Sequence, residues 1–261
     1  QLRYVLVSLG LPKTTDTQWI EGFYQGLHDA VTTYGGLIIG GDTVASPVLT
    51  INLTAIGQLP KGHSPGIRAN AKPGDIVFLS GSPGISALGL HAFQHHLSNY
   101  SSAKAHHLRP APHIGTGLTL SKKFERFALM DTSDGLADAV LKMAHASNVG
   151  IELAAGCIPI HPELQTYAKR NPEHSMAAIW DMVLYGGEDF GLFTALPCNR
   201  PDDITRAIPD LLPIGHVVAL SPEEKPYALL LNPEAQERIE LLPENTYQHF
   251  SGSLHANGAS S

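Results

Sequence analysis

At 261 residues and 27.9 kDa, with 43% hydrophobic residues, the chain is long enough for one large domain or two smaller ones around a real core. A formal net charge of −7, with no Lys/Arg stripe, argues against nucleic acid or an anionic membrane as the main partner, and no apolar run approaches a bilayer span. The two cysteines, Cys157 and Cys198, are too few for a disulfide framework and read as buried apolar fillers; with no signal-peptide pattern, a cytoplasmic location is the default.

In chain order, Gln1 is not an initiator, and LRYVLVSLGLP reads as a strand entered at once. Thr15 with Gln18 makes a capping box for a helix whose Trp19, Phe23, Leu27, Ala30 and Tyr34 share one face, and Gly35 and Gly36 end it. LIIGG is a short buried strand into an acidic turn, GGDT, at Gly40 to Thr43. Leu49, Ile51, Leu53 and Ala55 alternate with Thr50, Asn52 and Thr54, the pattern of a strand with one face in the core. KGHSPGIRANAKPGD, which contains Arg68, carries no periodicity and is the candidate interdomain connection.

IVFLSGSPG is a strand running into a glycine-bearing turn, with Pro83 in the first turn of a helix that continues through Leu97. SGSPG lacks the P-loop lysine and reads as a tight connection rather than a phosphate cradle. His91 and His95 have metal-ligand spacing on that helix, but no third ligand accompanies them, and they read as surface residues. Residues 98–105 read as a polar loop, and two prolines then lead into a short helix.

The next stretch, MDTSDGL from Met130 to Leu136, sets two carboxylates and two hydroxyls between the strand FALM and a helix. Leu136, Ala139, Val140, Met143, Ala144 and Ser147 mark that helix, with Gly150 as its stop. A strand-to-helix turn of this kind points carboxylates over the end of a sheet, where α/β proteins place ligands, although a single Asp or Ser there is also an ordinary cap. A strand over residues 151–160, one or two helices, and a third acidic turn follow: YGGEDF, Tyr185 to Phe190, where paired glycines break the helix and Phe190, Leu192 and Thr194 open a strand. IGHVV and YALLL are further strands.

Carboxylates gathered from such turns repel one another by about 4 kcal/mol per pair at 4 Å for an effective dielectric near 20. Oxygen-only ligands of this kind suit Mg2+ or Mn2+, and Mg2+ with open positions also holds substrate phosphates. The three turns therefore point towards phosphoryl transfer.

GGDT, KPGD, DTSDG, LYGGEDF and the closing YQHF, in this order between Val5 and Phe250, resemble the thiamine-phosphate kinase family. That family sits in the ATP-binding superfamily of AIR synthetase, selenophosphate synthetase and a hydrogenase maturation factor. The resemblance implies ATP-dependent phosphorylation of thiamine phosphate to thiamine diphosphate by direct transfer with Mg2+. It makes Gly41, Asp42, Arg68 and Ser133 ATP contacts, and Asp42, Asp131 and Asp134 metal ligands. Glu188 and Tyr247 match substrate-binding positions, apt for the cationic thiazolium of thiamine. No residue is assigned as a general acid or base.

The implied fold is α/β (α+β), two-lobed and AIR synthetase-like. Residues 1–70 are expected to be the remnant of an N-terminal lobe whose sheet pairs in a homodimer, residues 71–250 a mixed-sheet C-terminal lobe, and 251–261 a disordered tail, with the site between the lobes. The family pattern also has a leading acidic segment that supplies most Mg2+ ligands; nothing here matches it, so residues ahead of Gln1 are expected. His113 stands where the family carries an arginine after RPxP. The alternatives are a selenophosphate synthetase-like enzyme, distinguished by substrate, a non-catalytic nucleotide-binding fragment, and a two-metal phosphatase or nuclease, which leaves the ordered motifs unexplained.

Overall fold

The computed structural model describes residues 1–171, 176–232 and 236–246, with side chains left aside at 176–178. The chain divides into two compact units, 1–63 and 64–261. The division falls ahead of the expected position near residue 70 and leaves Arg68 in the second unit. Arg68 begins a single 3-10 turn, Arg68–Asn70, pinned at both ends by one side chain: Ser147 Oγ donates to Arg68 O (2.9 Å) and accepts from Ala71 N (3.2 Å).

The first unit is a three-stranded sheet with one helix. β1 (Leu2–Leu11) is central, parallel to β2 (Leu37–Ala45) and antiparallel to β3 (Thr50–Gly57); α1 (Thr17–Thr33) connects β1 to β2. Alternation along β1 sends Val5, Val7 and Leu9 into a core with Val31, Phe23 and Leu27 of α1. Three local expectations are corrected here. The cap of α1 is Asp16, which accepts from Gln18 N at 3.0 Å, not Thr15. β2 is neither short nor buried, and GGDT lies inside it as extended strand rather than as a turn. All eight residues of β3 are exposed, because α1 covers β1 and nothing among the described residues covers β3.

The second unit is a seven-stranded mixed sheet, in the order β10-β9-β6-β8-β4-β7-β5. Its elements along the chain are β4 (Ile76–Ser80), α2 (Ile85–Gln94), α3 (Ser101–Leu108), α4 (Ile114–Lys123), β5 (Ala128–Asp131), α5 (Leu136–Ser147), β6 (Gly150–Ala154), α6 (Pro162–Arg170), α7 (Met176–Tyr185), β7 (Leu192–Leu196), α8 (Pro201–Ala207), β8 (Leu211–Val218), β9 (Tyr227–Asn232) and β10 (Glu237–Glu240). Among the described strands of this sheet, only β6 and β9 pair in parallel.

Strand alternation divides the core between the two sheet faces. Val77, Leu79, Phe193 and Ala195 face a large cluster with α2, α5 and α7, while Phe78 and Leu196 face a smaller one with Leu120 of α4 and Ile208. On α5 the stripe Leu136, Ala139, Val140, Met143 is fully buried, and its alanines let the helix lie close on the sheet. That helix stops at Asn148, left-handed at φ 54°, and Gly150 belongs to β6. The expected loop at 98–105 is instead occupied by α3, the helix expected through Leu97 ends at Gln94 with Gly84 as its cap, and Cys157 is exposed rather than buried.

The KPGD motif has a structural role. Asp75 is 3% exposed, and its carboxylate accepts from Arg126 Nη1 (2.6 Å) and Nη2 (2.7 Å) as a bidentate pair, with a third bond from Lys72 N (2.9 Å). The residue therefore locks the entry to β4 against the turn before β5.

Candidate active site

The acidic turn at the end of β5 and the GGED turn after α7 meet. Thr132 N donates to Gly191 O (3.0 Å) and Glu188 N to Ser133 O (2.7 Å), so the two turns are laced by main-chain bonds. Gly187 has to be glycine: a Cβ there would sit 2.6 Å from Ser133 O. Between these turns and α2 lies a cavity of about 500 Å³, lined by Ser133, Asp134, Tyr185, Glu188, Leu90 and His107 among others. Three of the residues singled out from sequence, Ser133, Asp134 and Glu188, therefore share one cavity. Its walls combine apolar and aromatic surface with two carboxylates, a lining suited to a flat cationic ring with a polar end.

Asp131, the last residue of β5, is exposed, and its Oδ2 accepts from Ser133 N (3.4 Å) and from the Ser133 hydroxyl. Asp134 is paired: Lys142 Nζ lies 3.1 Å from its Oδ2 and 2.7 Å from Oδ2 of Asp138. Lys142 and Asp138 were not singled out from sequence, although their i, i+4 spacing on α5 is legible as a helix ion pair. Lys142 also lines a second cavity, of about 710 Å³, together with Arg68, Asp138 and His145. Asp134 and Lys142 thus join the cavity that holds Glu188 to the one that holds Arg68.

The donors at the β5 turn are oxygen only, and among the described residues no group of three or more His, Cys, Asp or Glu side chains gathers to hold a metal. Two carboxylates with free positions fit a hard divalent cation completed by water and phosphate oxygens rather than a closed protein cage.

Gly41 and Asp42 lie in the first unit. Gly41 packs against β1 so closely that a Cβ would fall 1.7 Å from Val7 O, which only glycine avoids. Asp42 is exposed, accepts from Thr43 N (2.9 Å), and stands in register with Ser8 of β1, itself opposite Asn52 of β3. These three line a depression of about 320 Å³ on the sheet. Tyr247 and the tail at 251–261 lie outside the described residues.

The SGSPG turn is a connection: its helix N-terminus is occupied by a protein carboxylate, that of Asp189, to which Gly84 N (2.6 Å) and Ser86 N (2.9 Å) donate. Burial lowers the pKa of His113, a loss that Asp210 opposes and His106 reinforces, so the ring favours its neutral form where the family arginine would be charged. His91 Nε2 bonds to the Tyr167 hydroxyl (3.0 Å), and its ring lies 4.3 Å from that of His95 at a tilt of 40°.

Residues 1–59 match the AIR synthase related protein N-terminal domain, and residues 72–221 the AIR synthase related protein C-terminal domain. Thiamine-monophosphate kinase of Bacillus subtilis is 32% identical over 256 residues, which cover 95% of this chain and 75% of that protein. The Synechococcus elongatus protein of the same name is 32% identical over 260 residues, covering 95% and 73%. Among solved structures, thiamine monophosphate kinase from Aquifex aeolicus superposes with a TM-score of 0.73 at 27% identity over 88% of this chain and 73% of that one. AaThiL complexed with AMPPCP and TMP gives 0.72 at 27% identity, over 88% and 70%. Hydrogenase maturation protein HypE, at 18% identity and a TM-score of 0.74, shares the fold. A relative this similar along three quarters of its own length, together with both domain matches in order, places the chain in the thiamine-monophosphate kinase family.

Proposed function

We propose that this chain transfers the γ-phosphoryl group of ATP to thiamine phosphate, giving thiamine diphosphate and ADP. The observation that carries the reading is the cavity in which Glu188, Tyr185, Ser133 and Asp134 come together, in a chain 32% identical to proteins named for this activity. Glu188 and the aromatic wall receive the thiazolium cation, and the phosphate end lies towards Ser133 and Asp134. The triphosphate takes the neighbouring cavity, where Arg68 and Lys142 supply positive charge. Asp131 and Asp134 would hold Mg2+ in the second unit, and Asp42 is a candidate ligand in the first; when bound, the ion would shield the incoming anion from the triphosphate and stabilise the leaving oxygen.

The reacting groups need little beyond placement. An oxygen of thiamine phosphate, already anionic near neutral pH, forms the new bond to the γ-phosphorus, and the bond to the β–γ bridging oxygen breaks as ADP leaves. No residue has to remove a proton. Lys142 keeps Asp134 in place, the Ser133 hydroxyl orients Asp131, and Arg68 aligns the donor.

The cytoplasm is the proposed location; among the described residues no helix is long and apolar enough to cross a membrane. A homodimer through the first unit is supported by its sheet. Tyr4, Leu37 and Ile56 are opposite one another in register on the face turned away from Val5, Val7 and Leu9, and Leu37 is 65% exposed. The test of function is product formation from thiamine phosphate and Mg-ATP, read by separating the thiamine esters. Wild type is expected to give thiamine diphosphate, and Asp134→Asn to lose most of it with little change in Tm, since Lys142 keeps Asp138 as a partner and a half-exposed ion pair contributes only about 1 kcal/mol. Normal turnover in that variant removes Asp134 from the site.

A further inference from the structure

The GGED turn carries a second acidic residue whose chemistry is separate from that of Glu188. Asp189 is 5% exposed, and both of its oxygens are engaged by α2: Oδ2 accepts from Gly84 N at 2.6 Å and Oδ1 from Ser86 N at 2.9 Å. The residues on either side of it are held in the left-handed region, Glu188 at φ 66° and Phe190 at φ 51°. Residues with side chains avoid that region unless the surroundings over-determine it. Here the surroundings are the bonds of the loop itself: Glu188 N to Ser133 O (2.7 Å), Thr132 N to Gly191 O (3.0 Å), Leu192 N to Ser80 Oγ (2.9 Å), and the pair of bonds that Asp189 accepts. Asp189 is the only one of these anchors that reaches from between the two strained residues.

The second wall of the cavity hangs from the same anchor. Ser86, whose N–H is bound by Asp189, has its Oγ 2.8 Å from Nδ1 of His107, and Ser86, His107 and Glu188 all line the cavity of about 500 Å³. His106, the neighbour of His107 on α3, places Nε2 3.2 Å from the main-chain oxygen of Asp189. A single buried carboxylate therefore ties the loop that presents Glu188 to the helix start that presents Ser86 and His107.

We propose that Asp189 is a positioning residue for the acceptor substrate: by binding Gly84 and Ser86 it holds the Glu188 backbone in its strained form and so sets the carboxylate that receives the thiamine cation. The inference rests on the assignment of this cavity to thiamine phosphate made above. An ordinary helix cap would affect stability alone, whereas a positioning role falls on one substrate. Asp189→Asn keeps the shape but replaces one acceptor oxygen by a donor that faces an N–H. At pH 8, where the acid is ionised, loss of one charge-assisted bond of this kind corresponds to roughly tenfold.

The experiment is steady-state kinetics on the full chain, with both substrates varied, for wild type, Asp189→Asn, Glu188→Gln and the double variant. The expected result is a roughly tenfold rise in KM for thiamine phosphate in Asp189→Asn, with KM for ATP unchanged, and less than about a twofold further rise when the substitution is added to Glu188→Gln, as two residues acting through one contact require. An unchanged KM for thiamine phosphate in folded Asp189→Asn overturns the inference, as does an effect of full size in the Glu188→Gln background. If Asp189→Asn does not fold, Asp189→Glu keeps the charge but moves the carboxylate by one methylene from Gly84 N and Ser86 N; a raised KM for thiamine phosphate alone supports the inference and an unchanged one overturns it. Wild-type protein that neither turns over nor binds thiamine phosphate overturns the kinase reading and this inference with it.

Discussion

Burial lifts the Asp189 carboxyl from an ordinary 3.8 to about 7, against the two N–H bonds from Ser86 and Gly84, with Glu188 adding to the rise. Between those two values the unfolded chain has given up its proton while the folded chain keeps it, so this group's contribution to stability is full below about pH 4 and falls as pH rises towards 7. Asp189→Asn carries no such titration. Measured by denaturant unfolding, the variant should gain on wild type by about 2.5 kcal/mol between pH 5 and pH 8; a difference between the two proteins that does not change with pH contradicts the assignment. That Ser133, Asp134 and Glu188 belong to a candidate site could be read in the sequence, because short acidic turns after strands and helices are local patterns. Asp189 and His107 could not, because their partners on α2 are distant in the chain and only the folded packing brings them together.

At the scale of elements, the entry to β4 depends on one ion pair. Replacing Asp75 by Asn leaves the Arg126 guanidinium, itself 28% exposed, beside a neutral amide, and loss of the charge-assisted pair costs about 2 kcal/mol. The second unit of Asp75→Asn should therefore unfold at clearly lower denaturant than wild type, and a shift within error would show that the pair is not a determinant of the fold. The helices with an apolar stripe, α1 and α5, were legible from their period. α3 was not, since SSAKAHHL buries only Ala103 and has no stripe to detect. Periodicity did identify β3, but a period of two says which residues share a face and not whether another layer covers it, and on β3 both faces are exposed.

At the scale of the molecule, two units with separate cores account for the two domain matches, and the mixed sheets agree with the α/β architecture expected from the motifs. The apolar face of the first unit's sheet leads to a prediction about assembly: the native mass in solution should be twice 27.9 kDa, and Ile56→Lys should shift it towards the single-chain value. A single-chain mass for wild type at micromolar concentration would remove the dimer. The central claim is direct phosphoryl transfer, and the most immediate test is to supply ATP labelled in its γ-phosphoryl group together with thiamine phosphate and Mg2+. The account predicts label in the terminal phosphoryl of thiamine diphosphate, with one ADP formed per product. Label found only in inorganic phosphate, or AMP as the nucleotide product, would contradict it.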